Sequence, residues 1–156
     1  MAIPASLKKF LTAQKIKSKA LKHETAYTAQ EMAAAQHVPG KQVAKTVLVK
    51  TDKGCILAVL PAIHLIDFAK FKKVAKVKKA SLASEKEIAK LTPGFAAGAT
   101  PPFGVLFHLP TIVDTALSED VEIVFSAGSH TDSVKIKYAD LVKATKPVVG
   151  AFGKHI

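Results

Sequence analysis

The stretch Val43-Ala-Lys-Thr-Val-Leu-Val-Lys-Thr51 alternates and is rich in β-branched residues, and Cys55-Ile-Leu-Ala-Val-Leu60 follows after Asp52-Lys53-Gly54. Two such runs joined by a short glycine-containing turn predict a β-hairpin. No other feature constrains the fold as much. A period of two is strand and not helix, and a connection this short forces the two strands to run antiparallel. Helical signals flank the hairpin. Leu7, Phe10 and Leu11 at i, i+3, i+4 spacing predict a helix from Ser6 to about Lys15, and a short extended piece follows through Ala20 to His23. Thr28-Ala-Gln-Glu31 is a capping-box pattern whose alanine-rich helix is stopped by Pro39-Gly40.

The second half continues in the same mixture. Ile66, Phe68, Phe71 and Val74 predict a short amphipathic helix with its lysines facing water, and Val77 to Ala80 a strand. Ser84-Glu-Lys-Glu87 is a second capping box, opening a helix that ends near Thr92-Pro93-Gly94. Thr111–Thr115, Val121–Ser126 and Ser133–Lys137 read as strands, Tyr138–Thr145 as a helix, and Val148-Val149 as strand-like. Helices and strands alternate without a βαβ rhythm. The expected class is therefore α+β, a mixed arrangement with one curved sheet, in one domain over residues 1–156.

Composition narrows the function. Hydrophobic residues make up 49% of the chain, too many for a disordered polycation. The longest apolar stretches, such as Cys55 to Ala62, stop well short of the roughly 18 residues a membrane span requires. The first residues contain no apolar signal-peptide core, so a cytoplasmic location is expected. Lone Cys55 has no disulfide partner in the chain, and the histidines show no metal-ligand spacing, so neither metal nor cofactor is expected. All 23 basic residues are lysine, against 12 acids, for a net charge of +11. Residues 1–90 hold 18 of the lysines and 6 acids, net +12, whereas the remainder is net −1. Lysine is a flexible point charge without the arginine fork that reads guanine, and it suits phosphate contact better than base readout. On composition alone, polyanion binding and simple solubility fit equally well.

Three places can carry chemistry. Lys45 shares a strand face with Val43, Val47 and Val49, so its ammonium either snorkels to water or neutralises a bound anion. Gly98-Ala-Thr-Pro-Pro-Phe-Gly104 brackets a stiff proline pair between glycines, and such a loop either presents amides to a carbonyl oxygen or is an ordinary rigid connection. It lacks the spacing of a nucleotide phosphate loop. Ser126-Ala-Gly-Ser-His130 places a histidine in a small-residue turn, where it can give a hydrogen bond or a proton or simply face solvent. No GxSxG elbow is present, and Cys55 has no local activating signature.

Taken in order, these pieces resemble the YbaK/prolyl-tRNA synthetase-associated editing-domain family. The resemblance is carried by Ala26-Tyr-Thr-Ala-Gln-Glu31, Pro39-Gly-Lys-Gln-Val-Ala-Lys-Thr-Val-Leu-Val49, Ala58-Val-Leu-Pro61, Ala83-Ser-Glu85, Gly98-Ala-Thr-Pro-Pro-Phe-Gly104, Thr111-Ile-Val-Asp114 and Gly128-Ser-His130. It runs from about residue 20 to about 145, and the Val-Ala-Lys-Thr strand together with the GxxxPPFG loop makes it specific. It implies a free-standing, barrel-like mixed sheet surrounded by helices. It also implies hydrolysis of the ester joining a wrong amino acid to tRNA, as in Cys- or Ala-tRNA-Pro. By resemblance Lys45 anchors the terminal adenosine and Gly98 turns backbone toward the substrate carbonyl. Thr46, Ala99, Thr100, Pro101, Pro102, Ser129 and His130 then line the substrate cleft. The implied partners are the acceptor end of a mischarged tRNA and an aminoacyl-tRNA synthetase, with no membrane and no metal. Many relatives carry Cys-Glu where this chain has Phe95-Ala96, which implies a different pocket here. The alternative is a catalytically silent, basic tRNA-binding module of the same fold.

Overall fold

A computed structural model describes residues 3–22, 34, 39–96 and 98–155. The predicted hairpin is its centre. Strand β2 (Ala44–Thr51) pairs antiparallel with β3 (Gly54–Pro61) from Ala44↔Pro61 to Thr51↔Gly54 around a turn at Asp52-Lys53. The other elements are α1 (Ala5–Ala13), β1 (Lys19–Lys22), β4 (His64–Ile66), α2 (Phe68–Ala75), β5 (Ala80–Leu82) and α3 (Glu85–Leu91). They continue with β6 (Thr111–Asp114), β7 (Glu122–Ser126), β8 (Asp132–Lys137), α4 (Tyr138–Thr145), β9 (Val148–Gly150) and β10 (Gly153–His155). The helix expected behind Thr28 lies, Ala34 apart, outside the described residues.

The described residues form three sheets. The largest has the order β5-β2-β3-β6-β9, with β6 parallel to both β3 and β9; the others are β1-β8-β7 and β10-β4. A single parallel bridge, Val43↔Val124, joins the five-stranded sheet to the three-stranded one. Among the described residues β5 and β9 remain edges, so no barrel closes.

Strand alternation puts a different core on each face. On one side Leu57, Val59 and Val113 meet Ile123, Phe125, Val134 and Ile136, closed over by Leu7 and Leu11 of α1, Phe103 and Leu141 of α4. On the opposite side of the five-stranded sheet, Val49, Ile56, Ala58, Leu60 and Ile112 pack with Phe71 of α2 and with Phe152. The Phe71 and Phe152 rings meet edge-on at 5.3 Å, an arrangement worth about 0.5–1.5 kcal/mol beyond the area it buries.

Local signals set the helix ends. The Ser84 capping box forms in full: the hydroxyl accepts from the Glu87 amide, and the Glu87 carboxylate accepts from the Ser84 amide. Asp67 caps α2 by accepting from the Lys70 amide. Ile66, expected within that helix, instead pairs with Gly153 as the last residue of β4, because Asp67 makes the helix start after it. The strand expected at Val77–Ala80 lies later, at Ala80–Leu82. Lys76 takes the left-handed conformation that ends α2, and the Lys78 and Lys79 amides both donate to Asp52 Oδ1. Those amides are spent on holding the hairpin turn, so pairing begins only at Ala80, opposite Thr51.

Candidate active site

Lys45 sits at the start of β2, opposite Leu60 and two residues beyond the bridge that joins the sheets. Because the bridge is parallel, both chains leave it in one direction, and Ser126 stands two residues beyond it on β7. Lys45 is half-buried, and burial pushes its ammonium below the ordinary lysine value. Desolvation disfavours the charged form, so an anion brought there would be welcomed. Thr46 points to the other face, opposite Val59. Its hydroxyl oxygen is shielded from solvent and has no hydrogen-bond partner among the described residues.

Past Ser126 the chain turns through residues 127–131. Gly128 has φ +95°, and a Cβ there would lie 2.6 Å from Pro4 Cγ and 3.0 Å from the Phe95 ring, so glycine is needed twice over. Ser129 is buried: its hydroxyl donates to Asp132 Oδ2 at 2.7 Å and accepts from the Asp132 amide at 3.2 Å and the Thr131 amide at 3.3 Å. That hydroxyl braces the turn. His130, half-buried, ends it.

The loop of residues 94–104 docks onto this turn through its backbone. The Ala96 amide donates to the Gly128 carbonyl at 3.0 Å, and the Gly128 amide donates to the Ala99 carbonyl at 2.9 Å. Gly98 is exposed with φ +80°, while Ala99, Thr100, Pro101 and Pro102 are buried. Phe103 anchors the far end, ring to ring with Phe125 at 5.4 Å and Phe10 at 5.0 Å, and the Gly104 amide donates to Thr111 Oγ1. The Ala99 amide is used by the Ala96 carbonyl, whereas no hydrogen bond among the described residues engages the Gly98 or Thr100 amide. Two N–H groups of the loop thus remain available as donors.

The three places read separately in the sequence are therefore one region. Lys45 reaches it through the sheet junction, and the Gly98 loop and the His130 turn through paired backbone hydrogen bonds. Cys55 is remote, beside the hairpin turn and opposite Lys50. Burial, and then Glu87, push its thiol up, which disfavours the thiolate. Phe95 is buried against Phe107 in an edge-on contact at 5.2 Å, and with Leu91, Leu106 and His108 it lines an open pocket of about 450 Å³ beside the loop.

Two features escaped the sequence reading. Asp132 holds Ser129, and only its Ser-x-x-Asp spacing hinted at this. Asp114 is buried with its Oδ2 3.1 Å from His64 Nδ1, and its Oδ1 accepts from the Phe152 amide, tying β4 and the C-terminal segment to β6. Nothing local to either residue announces a pairing across 50 positions. Among the described residues no helix is long and apolar enough to cross a membrane, and no three His, Cys, Asp or Glu side chains cluster as a metal site.

No curated protein sequence matches the chain. Solved structures do. The hypothetical protein APE2540 superposes with a TM-score of 0.86 at 23% identity, covering 96% of this chain and 99% of that one. A crystal structure of "a putative trans-editing enzyme for prolyl tRNA synthetase" gives 0.83 at 23% identity, covering 98% and 99%. At that identity both establish the fold. The family model for the aminoacyl-tRNA editing domain matches residues 23–144, which span the Lys45 strand, the Gly98 loop and the His130 turn. The chain belongs to the aminoacyl-tRNA editing domain family and is an aminoacyl-tRNA deacylase.

Proposed function

We propose that this deacylase acts in trans, as a free-standing domain in the cytoplasm, on the ester of mischarged tRNA such as Cys- or Ala-tRNA-Pro. The observation that carries the reading is the docking of the Gly98 loop on the His130 turn beside the Lys45 strand. An aminoacyl ester is already activated, so positioning and oxyanion stabilisation accomplish most of the work. Lys45 holds the anionic 3′ end of the tRNA. Water adds to the carbonyl carbon, and the oxyanion forms against the Gly98 and Thr100 amides. Collapse breaks the carbon–oxygen bond to the ribose. One proton of the water ends on the ribose oxygen, and the other leaves as the amino acid ionises. Ser129 supports this indirectly, since its hydroxyl is committed to the turn, while His130 contacts the substrate. Phe95 and Ala96, where many relatives carry Cys-Glu, set which amino acid fits, and a synthetase that delivers the tRNA is the natural protein partner.

The test is a deacylation panel, with each misacylated tRNA incubated with wild type, Lys45→Ala and Gly98→Val. Valine keeps the amide but cannot hold φ +80°, so the loop shifts and the N–H leaves the oxyanion. Loss of one such donor costs about 3–4 kcal/mol, so Gly98→Val should slow cleavage by at least 100-fold. A wild-type protein that binds these tRNAs and leaves every one intact would sink the proposal.

A further inference from the structure

The face of the sheet that α2 covers on its five-stranded half continues across the Val43–Val124 bridge onto the three-stranded half. There no helix among the described residues contributes to either hydrophobic core from that side. Registers define what it carries. Lys19 stands directly opposite Lys135, level with Val124 on the next strand, and Lys137 stands opposite Glu122. With Lys17 these residues line an open groove of about 390 Å³. Like charges directly opposed in a sheet are unfavourable, and one carboxylate among four lysines offsets only part of this, so the groove favours a further anion. Glu122 reaches Lys135 at 3.7 Å, while Lys17, Lys19 and Lys137 have no carboxylate partner among the described residues. Ile136, the apolar residue of the lining, is buried, so the groove presents none of the exposed apolar anchors on which protein partners depend.

Position gives this groove a purpose. Strand alternation puts Lys45, Lys135 and Lys19 on one face of the joined sheet, with Val43 and Val124 fully buried between them. With strands about 4.8 Å apart and residues about 3.3 Å apart along them, the lysine groove begins roughly 10–15 Å from Lys45. We infer that Lys17, Lys19, Lys135 and Lys137 form a phosphate track that carries the sugar-phosphate backbone of the tRNA away from the Lys45 site. This rests on the tRNA reading above and adds the surface that the RNA follows. Lysine point charges on a groove without base-reading arginines suit a sequence-independent backbone contact.

The test needs no turnover. Binding of uncharged tRNA is followed by fluorescence anisotropy across salt concentrations for three proteins. These are wild type, a variant carrying Lys17→Gln, Lys19→Gln, Lys135→Gln and Lys137→Gln, and a charge-matched control carrying Lys70→Gln, Lys73→Gln, Lys78→Gln and Lys79→Gln on and after α2. Each phosphate contact contributes about 0.7–0.9 to the slope of log affinity against log salt, so the track variant should lose roughly 3 from it. Between about 50 and 200 mM salt, wild-type affinity should then fall some 50-fold more than the variant's. The control should keep the wild-type slope, and thermal melts serve to show that both variants fold, since the track variant loses the Lys19–Lys135 opposition and the Lys135–Glu122 ion pair together. A track variant with the wild-type slope overturns the inference and leaves an acidic protein surface as the groove's partner. So does a control that loses as much slope. Failure of the deacylase reading shows separately, as intact ester in the panel with this salt dependence unaltered.

Discussion

Thr46→Val separates stability from function within one side chain. Thr46 lies on β2 opposite Val59, facing a core, and its shielded hydroxyl oxygen has no partner among the described residues. A buried hydroxyl without a hydrogen bond costs about 1–3 kcal/mol. Valine keeps the β-branched shape that the strand favours and replaces the hydroxyl with a methyl. The free protein should therefore gain about 1 kcal/mol, and a chain of this size should melt about 2–4 °C higher for each kcal/mol. If the hydroxyl is held unpaired so that the bound substrate can use it, the same variant loses a hydrogen bond in the complex. The kcat/KM for deacylation should then fall about 5- to 10-fold, matching the roughly 1 kcal/mol net value of one neutral bond. The assay is a thermal melt beside a deacylation time course. A melting point lower by more than about 2 °C would show that the hydroxyl has a structural partner, and the reasoning would fail. A raised melting point with unchanged kcat/KM would remove Thr46 from the substrate's surroundings.

Other expectations follow from the same geometry. Gly128→Ala forces a side chain into φ +95° and against Pro4 and Phe95, so it should cost at least about 1–2 kcal/mol in denaturant titration. It should also reduce deacylation beyond the loss of folded protein, because the Gly98 loop hangs on both hydrogen-bonding groups of that residue. Asp114→Ala removes the acceptor for the Phe152 amide and the partner of His64; at about 1.5–3 kcal/mol for a bond to a charged group, hydrogen exchange should quicken first at Phe152 and β10. For Lys45, the folded-state value lies below the ordinary 10.5 because of burial. Between those two values the unfolded chain binds more protons, so this residue contributes stability that grows as pH rises through the window. In the same window the ammonium is lost, so enzyme-dependent deacylation, corrected for the alkaline lability of the ester, should decline before pH 10.5. The residual activity of Lys45→Arg, which keeps its charge, should lack that decline.

Local chemistry was legible where one segment carried its own instructions. The β2–β3 hairpin, the Ser84 capping box and the Tyr138–Thr145 helix all form where residue type and spacing place them. Reading failed where a distant group intervened. The Asp52 side chain takes the Lys78 and Lys79 amides and delays β5, a contact across 26 and 27 positions that no window along the chain contains. The site behaves alike. Lys45, the Gly98 loop and the His130 turn each stood out individually, yet two backbone hydrogen bonds and one isolated bridge unite them, and backbone bonds leave no side-chain signature. The lysine groove is half visible. Lys135 and Lys137 alternate with core residues Val134 and Ile136, but only the β1–β8 register brings Lys17 and Lys19 beside them.

The most direct measurement is the single-turnover rate of ester cleavage on mischarged tRNA-Pro, wild type beside Lys45→Ala, with binding of the same tRNA measured in parallel. The account predicts cleavage by wild type, and a loss of at least about 100-fold in Lys45→Ala while most of the tRNA affinity, supplied by the other lysines, is retained. Equal rates for the two proteins would contradict it.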